Sequence, residues 1–244
     1  MNKLTQNFHI PCYFTDASWR LKPASFMNLT QEAATQHATI LGFGYDELIV
    51  SRTAWIISRM HIEFVDTPKW REQMTLQTWH KGLERLFFLR DFVMTDSEGK
   101  VRVKATSSWL VLNLDTRRLV RDPNLIDEGK TCTEHVLEKP ADKVVFPKDV
   151  EAAKVMEHVV AYSDIDMNGH TNNAMYMQWA MDAVDLEIST NRDVREMTIN
   201  FNHETKAMDV VSIYKAIVEN ETGRHVYIEG KVEDRSAFCV ELVV

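Results

Sequence analysis

The 244-residue sequence has few cysteines and no long apolar run. Its three cysteines, Cys12, Cys132 and Cys239, lie far apart and form no CxxC pair, which is typical of a reducing compartment. No stretch of about 18 apolar residues occurs, so no membrane-spanning helix is predicted. The polar first residues do not resemble a signal peptide. We therefore expect a soluble, cytoplasmic protein with no membrane partner.

Positive charge is also scarce. Lys and Arg number 28 against 36 Asp and Glu, and the net charge of −8 argues against a nucleic-acid partner. The first 130 residues hold 17 basic and 15 acidic side chains, whereas the remainder holds 11 and 21. The negative charge therefore belongs to the second part of the chain, and partners should distinguish the two ends.

Signals for metals and cofactors are weak. The nine histidines show no paired ligand spacing. Residues 42–44 read Gly-Phe-Gly, but they lack the Gly-Lys-Ser/Thr ending of a phosphate-binding loop and follow a predicted helix. We expect neither a metal nor a cofactor.

The same pattern of a helix followed by strands occurs twice. Apolar spacing predicts one helix over residues 23–41, stopped by Gly42, and a second over 171–188 that is apolar on nearly all sides. Alternating apolar residues predict a strand over 155–162 and four or more strands after each helix, and residues 60–64 match 197–201 at an offset of 137. The strand expected before each helix includes similar residues, at 11–16 in the first copy and 160–164 in the second. This pattern indicates an internal duplication of an α+β unit.

The predicted units span residues 1–115 and 150–244. Prolines and charged residues interrupt the strand pattern over 116–149, which we interpret as a linker. We expect each unit to pack a long helix on an antiparallel sheet, with the two sheets joined into one extended sheet. Such pairing within one chain is compatible with a monomer or with a homodimer.

The densest polar cluster occupies residues 163–173, immediately before the second helix. Within it Asp166, Asn168 and His170 stand at alternate positions. A helix N-terminus offers backbone N–H groups, here those of Gly169, His170 and Thr171, that can polarise a carbonyl. A capping residue explains one polar side chain, not this many. We therefore favour a chemical role for the cluster.

Glu204 is a second candidate because the two copies differ at its position. The equivalent residue in the first copy, at the offset of 137, is Thr67. The first copy also has residues 19–23, Trp-Arg-Leu-Lys-Pro, where the second has its polar cluster. This asymmetry predicts one active unit and one unit adapted to another task.

These residues resemble a known family. Residues 166–176, Trp179 and the segment 201–204 are similar to the plant and bacterial acyl-[acyl-carrier-protein] thioesterases, which have a tandem double hotdog fold of class α+β. The resemblance covers essentially the whole chain, including residues 31–34, His37 and residues 41–44. It implies hydrolysis of fatty acyl thioesters to free fatty acid. It also implies an acidic acyl carrier protein as partner, carrying the acyl chain on 4′-phosphopantetheine.

The resemblance implies a catalytic set of Asp166, Asn168, His170 and Glu204. Plant members commonly have cysteine after the glutamate, whereas this chain has Thr205. A carboxylate mechanism needs no thiol, since Glu204 can activate or position a water. Asp166 as the nucleophile or base stays an alternative. Other candidate functions are a hotdog acyl-CoA thioesterase, a hotdog dehydratase and a non-catalytic acyl-binding protein.

Two further sites follow from the resemblance and from the sequence. The first unit, which lacks the polar cluster, is predicted to hold the acyl chain against Phe26, Met27, Ala33 and Ala34. Because the carrier protein is acidic, its docking requires a local basic surface. The candidates are the six basic residues between positions 100 and 121, namely Lys100, Arg102, Lys104, Arg117, Arg118 and Arg121. The three arginines from Arg117 to Arg121 are the predicted docking residues.

Overall fold

The computed structural model describes residues 2–122, 125–126, 128–185 and 194–244. The chain divides into two compact units, Met1–Leu21 with Asn28–Ala141 and Lys22–Met27 with Asp142–Val244. Residues 116–149 therefore do not form a separate linker. Their part up to residue 141 belongs to the first unit and the rest to the second.

The first unit contains a five-stranded antiparallel sheet with the strand order β1-β3-β4-β5-β2. The strands are β1 (Leu4–His9), β2 (Thr53–Phe64), β3 (Gln73–Glu84), β4 (Phe87–Asp96) and β5 (Val101–Asn113). Strands β2 to β5 confirm the alternating patterns. Strand β1 was not predicted, because none of its side chains is fully buried and the sequence there lacks a run of alternating apolar residues.

Helix α1 spans Pro23–Leu41, as predicted. Its predicted inner face is buried, comprising Phe26, Thr30, Ala33, Ala34, His37, Ala38 and Leu41. Gly42 ends the helix with a φ of +78°, a conformation in which glycine has no steric penalty. A short helix α2 (Tyr45–Val50) follows. It was not predicted, because its single buried side chain, Leu48, gives no apolar periodicity. No helix in the described part of the chain is both long and apolar enough to cross a membrane.

A buried ion pair fastens residues 131–141 to the sheet of the first unit. Lys81 Nζ lies 3.1 Å from Asp91 Oδ1, and both side chains are almost completely buried. The carboxylate also accepts the N–H of Val136 at 2.7 Å, and the ammonium donates to the carbonyl of Leu137 at 3.0 Å. A buried pair is tolerated when additional hydrogen bonds offset the loss of hydration, and here each ion has one to the backbone. The same contacts explain why this segment belongs to the first unit.

The second unit contains a five-stranded antiparallel sheet with the order β7-β10-β9-β8-β6. The strands are β6 (Ala153–Val159), β7 (Glu196–Phe201), β8 (Val210–Asn220), β9 (Gly223–Val232) and β10 (Arg235–Val243). All five were predicted, with ends that differ by a few residues. Each unit thus combines a helix with an antiparallel sheet, which confirms the α+β class.

Helix α3 spans Asn173–Asp182 and contacts β9 and β10. The prediction of a helix over 171–188 was wrong at both ends. Ala183 and Val184 remain buried in a turn after the helix, so the apolar pattern continues where the helix does not. Residues 186–188 of the predicted helix lie outside the described residues. Most of the helix surface is buried, as its nearly continuous apolar sequence predicts.

Candidate active site in the second unit

The polar cluster forms a tight turn between a short 3₁₀ helix, Tyr162–Asp164, and helix α3. The Asp166 N–H donates to the His170 carbonyl at 2.9 Å, and the Gly169 N–H donates to the Asp166 carbonyl at 3.0 Å. Gly169 has a φ of +76°, which strains any residue with a side chain. The turn brings Asp166 and His170 to neighbouring positions.

Asp166 and Asn168 bind each other. Asp166 Oδ1 accepts the Asn168 backbone N–H at 2.8 Å, and Asp166 Oδ2 accepts Asn168 Nδ2 at 3.3 Å. An aspartate that accepts the N–H two residues later forms an Asx turn, which shapes a loop without tertiary contacts. Both side chains are therefore part of the local structure of the turn.

His170 and Glu204 form the second pair of the site. Glu204 follows strand β7, and its Oε2 lies 3.5 Å from His170 Nε2. The Glu204 side chain is 37% exposed and the His170 side chain is 34% exposed, so water can reach both. Lys206 Nζ lies 3.9 Å from Glu204 Oε1. The structure thus brings together two residues separated by more than thirty positions in sequence.

Thr205 lies next to Glu204 and is completely buried. Its hydroxyl lies 2.6 Å from that of Thr171 and 3.1 Å from that of Tyr176, and its N–H donates to the Tyr176 hydroxyl at 3.0 Å. The Thr171 N–H donates to the Thr205 carbonyl at 3.0 Å. Burial raises the pKa of Tyr176, so its phenol stays protonated. This network fixes Glu204 against the start of α3.

Sequence analysis missed the role of Asp164 within the cluster. Its carboxylate is buried, accepts the Ala161 N–H at 2.7 Å and lies 2.8 Å from His158 Nε2. The His158 ring packs against Trp179 with centroids 4.5 Å apart. The pair connects the turn to β6 and α3. The sequence places Asp164 and Asp166 two positions apart but does not reveal which one is buried.

Fewer backbone N–H groups than expected are available to polarise a carbonyl. The N–H groups of Gly169 and Thr171 already donate to the carbonyls of Asp166 and Thr205. The prediction was wrong for these two because the helix begins later, at Asn173, and the turn uses their N–H groups itself. The His170 N–H has no acceptor among the described residues, so it is the remaining candidate.

The first unit repeats the turn with different side chains. At an offset of 150, Asp16 occupies the position of Asp166, and its Oδ1 accepts the Ser18 N–H at 2.8 Å. Its N–H donates to the Arg20 carbonyl at 2.8 Å, and Trp19 has a φ of +64°. Arg20 replaces His170, and Thr67 replaces Glu204.

The two preceding segments, at 11–16 and 160–164, were predicted to be strands, and that prediction was wrong. Both contain 3₁₀ helices, Cys12–Phe14 and Tyr162–Asp164. The prediction also paired the two segments two residues out of register, which hid the correspondence of Asp16 with Asp166. The first copy therefore lacks the histidine and glutamate but keeps the aspartate.

The first unit contains a cavity beside α1, enclosing about 440 Å³ of empty space that is partly open to solvent. Of the four predicted acyl-pocket residues, Ala34 lines it. Phe26, Met27 and Ala33 are buried on α1 but do not line this cavity. Its apolar walls come from α1, the sheet and the segment between them, namely Ala34, Ala38, Phe43, Trp55, Phe88 and Trp109.

The predicted basic surface is smaller than the sequence indicated. Arg102 is buried, and its guanidinium pairs with three carboxylates at 3.1–3.6 Å, those of Asp66, Glu72 and Asp96. Lys104 Nζ lies 3.5 Å from a Glu63 oxygen. Including Arg102 in an exposed cluster was therefore wrong. Arg117, Arg118 and Arg121 are exposed.

The buried network at Thr205 predicts a loss of stability on truncation. Thr205→Ala removes the hydroxyl that Thr171 and Tyr176 contact, so the free energy of unfolding should fall by about 1–3 kcal/mol. Thr205→Ser keeps the hydroxyl and should remain near wild type. Denaturant unfolding measures both. We expect the turnover of folded Thr205→Ala to change little. A collapse of kcat at unchanged stability would contradict a structural role.

Comparison with known proteins identifies relatives over the whole chain. The model of the acyl-ACP thioesterase N-terminal domain matches residues 1–128, and that of the C-terminal domain matches 147–237. The chain is 28% identical over 222 residues to oleoyl-acyl carrier protein thioesterase 1, chloroplastic, of Arabidopsis thaliana, covering 84% of this chain and 61% of the relative. It is 28% identical to the Coriandrum sativum oleoyl-acyl carrier protein thioesterase, covering 89% and 63%.

Solved structures agree. An acyl-ACP thioesterase from Bacteroides thetaiotaomicron matches with a TM-score of 0.84 and 26% identity, covering 99% of this chain and 97% of that one. A 12:0-ACP thioesterase from Umbellularia californica has a TM-score of 0.83 at 19% identity, covering 98% and 92%, and supports the fold. The chain spans about three-fifths of the length of the curated plant relatives above. The tandem hotdog fold is confirmed, and the two family models together establish that this chain belongs to the acyl-ACP thioesterase family.

Proposed function

We propose that this protein hydrolyses fatty acyl-carrier-protein thioesters, releasing free fatty acid and the carrier thiol. The observation that carries the proposal is the pairing of His170 with Glu204 beside the turn of the second unit. The first unit has the same turn with Arg20 and Thr67 at these positions. The pair is therefore not needed to build the turn, which supports a chemical role for it.

The two turns, compared with each other, distinguish residues that build the turn from residues that are proposed to face the substrate. Asp166 and Asp16 make the same contact with a backbone N–H, so Asp166 is proposed as a positioning residue. Asn168 supports it through its side-chain amide. Glu204 and His170 are proposed to face the thioester, because these are the side chains that differ between the copies.

In the proposed reaction Glu204 takes a proton from water, and the oxygen adds to the thioester carbonyl carbon. The His170 N–H donates to the carbonyl oxygen as negative charge develops there. The carbon–sulfur bond then breaks, and the leaving thiolate receives the proton held by Glu204. The His170 ring, 3.5 Å from Glu204, orients the carboxylate. No covalent enzyme intermediate is required.

A cysteine nucleophile is not supported. Cys239 is the one cysteine of the second unit, and burial raises its pKa to about 12, so it is a thiol at neutral pH. Thr205 occupies the position at which plant members commonly have cysteine, and its hydroxyl is bound within the buried network. Water activated by a carboxylate is therefore the preferred mechanism.

The cytoplasm is the proposed location, based on the cysteines. Cys12, Cys132 and Cys239 are all unpaired, as in a reducing compartment. The curated plant relatives named above are chloroplastic proteins.

Replacing Glu204 by glutamine tests the mechanism. Glu204→Gln keeps the size of the side chain but removes the base, so kcat should fall by about 10²–10⁴. Thiol release from a panel of acyl-carrier-protein and acyl-CoA thioesters is measured. Glu196→Gln, an exposed glutamate of the same unit, is the matched control and should remain active.

The same panel separates the alternatives. Preference for the CoA thioesters indicates an acyl-CoA thioesterase, and turnover without thiol release indicates a dehydratase. Absence of turnover with retained acyl binding indicates a non-catalytic protein. Wild-type kcat in Glu204→Gln would remove Glu204 from the mechanism.

The first unit is proposed to hold the acyl chain in the cavity lined by Ala34. Replacing Ala34 by phenylalanine fills part of this space, so the enzyme should shift towards shorter acyl chains. Ile40→Phe enlarges an exposed residue of the same helix and serves as control. Relative kcat/KM across chain lengths is measured. An unchanged profile in folded Ala34→Phe would place the acyl chain elsewhere.

The exposed arginines are proposed to dock the acidic carrier protein. Reversing Arg117, Arg118 and Arg121 to glutamate should raise KM for carrier-bound substrates and spare small thioesters. The wild-type KM should also rise with salt, because exposed charges interact over a Debye length of about 8–10 Å. The same reversal at the exposed residues Arg85, Lys139 and Lys143 matches the charge change at other positions of the protein. Equal effects of the two triple variants would show that net charge alone matters.

A further inference from the structure

The cavity of the first unit contains a buried cation as well as apolar walls. Arg90 of strand β4 lines it and is 5% exposed, together with His80 of β3. Burial is the main reason that the pKa of His80 is lowered to about 3, so this imidazole is neutral at pH 7. Among the described residues that line the cavity, Arg90 is therefore the one charged group, and aromatic and aliphatic side chains form most of the rest.

The protein contacts of the Arg90 guanidinium are uncharged. Its Nη1 lies 2.9 Å from His37 Nδ1 and 3.2 Å from Thr78 Oγ1. A guanidinium has no acceptor, so His37 Nδ1 accepts this hydrogen bond and carries no proton. Both of these hydrogen bonds use Nη1. Nη2 and Nε have no acceptor among the described residues.

No carboxylate in the described part of the chain neutralises this guanidinium. No carboxylate oxygen of the described residues lies within 4.0 Å of a side-chain nitrogen of Arg90, which is the distance that an ion pair requires. The adjacent Asp91 is already bound to Lys81 and to the Val136 N–H. Burial lowers the pKa of Arg90 to about 9, which still leaves it protonated at neutral pH. A buried charge without a counter-ion is costly, and an anionic ligand would remove that cost.

We infer that this cavity binds a free fatty acid, with its carboxylate on the Nε and Nη2 edge of Arg90 and its hydrocarbon chain along the aromatic walls. The two N–H groups of that edge match the two oxygens of a carboxylate. One cation among apolar side chains such as Trp55 and Phe88 fits a monoanion with an apolar body. The cavity is partly open to solvent, so a ligand can enter it from outside.

Fatty acid binding in this cavity would also affect turnover, a consequence that rests on the proposed function. A free fatty acid is the product of thioester hydrolysis, and the acyl chain is proposed to occupy the same cavity. The product would then inhibit the enzyme by occupying the cavity with its carboxylate at Arg90. The direct binding of the acid requires no catalysis and can be tested separately.

The binding test compares three ligands on the substrate-free wild-type protein. Dodecanoate, dodecanol and acetate are titrated below micellar concentrations, with tryptophan fluorescence and calorimetry as readouts, since Trp55 and Trp109 line the cavity. Dodecanoate should bind about 10–100-fold more tightly than dodecanol, the value of a hydrogen bond to a charged group. Acetate should not bind at these concentrations. Equal affinities of acid and alcohol, or acetate binding as tight as dodecanoate, would overturn the inference.

Variants assign the preference to Arg90. Arg90→Met should abolish the preference for the acid over the alcohol, and Arg90→Lys should restore part of it. Removing an unpaired buried charge should leave the Tm unchanged or raised. Arg235→Met, at an exposed arginine of the second unit, is the matched control. A preference that survives in folded Arg90→Met would overturn the inference.

A second variant keeps the test decisive if Arg90→Met fails to fold. Ala34→Phe narrows the cavity without changing its charge, so it should weaken acid and alcohol alike. Tight acid binding in folded Ala34→Phe would place the site elsewhere. Dodecanoate inhibition that is weakened but not lost in Arg90→Lys links the site to the proposed activity. If the protein releases no thiol from thioesters but binds the acid through Arg90, the proposed function fails and this inference stands.

Discussion

Both units depend on one short-range interaction, an aspartate carboxylate that accepts the backbone N–H two residues later. Asp16 binds the Ser18 N–H and Asp166 binds the Asn168 N–H, each at 2.8 Å. This contact closes the turn that connects a 3₁₀ helix to the principal helix of the unit. Because a polar side chain satisfies the backbone locally, the turn forms without help from the core. The turn therefore persists where the residues around it have changed.

The constancy of the turn explains how one chain combines two tasks. The second unit adds His170 and Glu204 to the turn, and the buried Thr205 network fixes the glutamate beside α3. The first unit instead has Arg20, whose guanidinium binds Asp16, and a cavity behind α1. A fold that supplies its own turn leaves the neighbouring side chains free to diverge. Proposed chemistry and proposed ligand binding are thus separated between two copies of one structure.

The periodicity of apolar residues predicts helices and strands correctly where burial is regular. Helix α1, strands β2 to β5 and strands β7 to β10 follow from apolar spacing, because each of them buries several side chains. The pattern failed where burial and regular structure differ. Strand β1 has no fully buried side chain, and Val184 is buried without being helical. Both failures have the same cause, since the pattern reports burial and the hydrogen bonds define the element.

The candidate site was predictable as a set of residues but not as a geometry. The duplication singled out Glu204, because the first copy has Thr67 there. Sequence could not show that the Gly169 and Thr171 N–H groups are already used within the turn. Arg90 gave no signal at all, since a strand arginine is normally exposed. Its significance depends on which side chains surround it, and these come from α1 and β3.

The neutral imidazole beside Arg90 also affects the response of the fold to acid. The pKa of His80 is about 3 in the folded protein and about 6.5 when the chain is unfolded. Between these values the unfolded chain binds a proton that the folded chain does not bind. Stability should therefore fall as the pH drops below 6.5, by up to about 1.4 kcal/mol per pH unit for this group alone. The residue that keeps the cavity uncharged on one side thus sets a lower pH limit for the first unit.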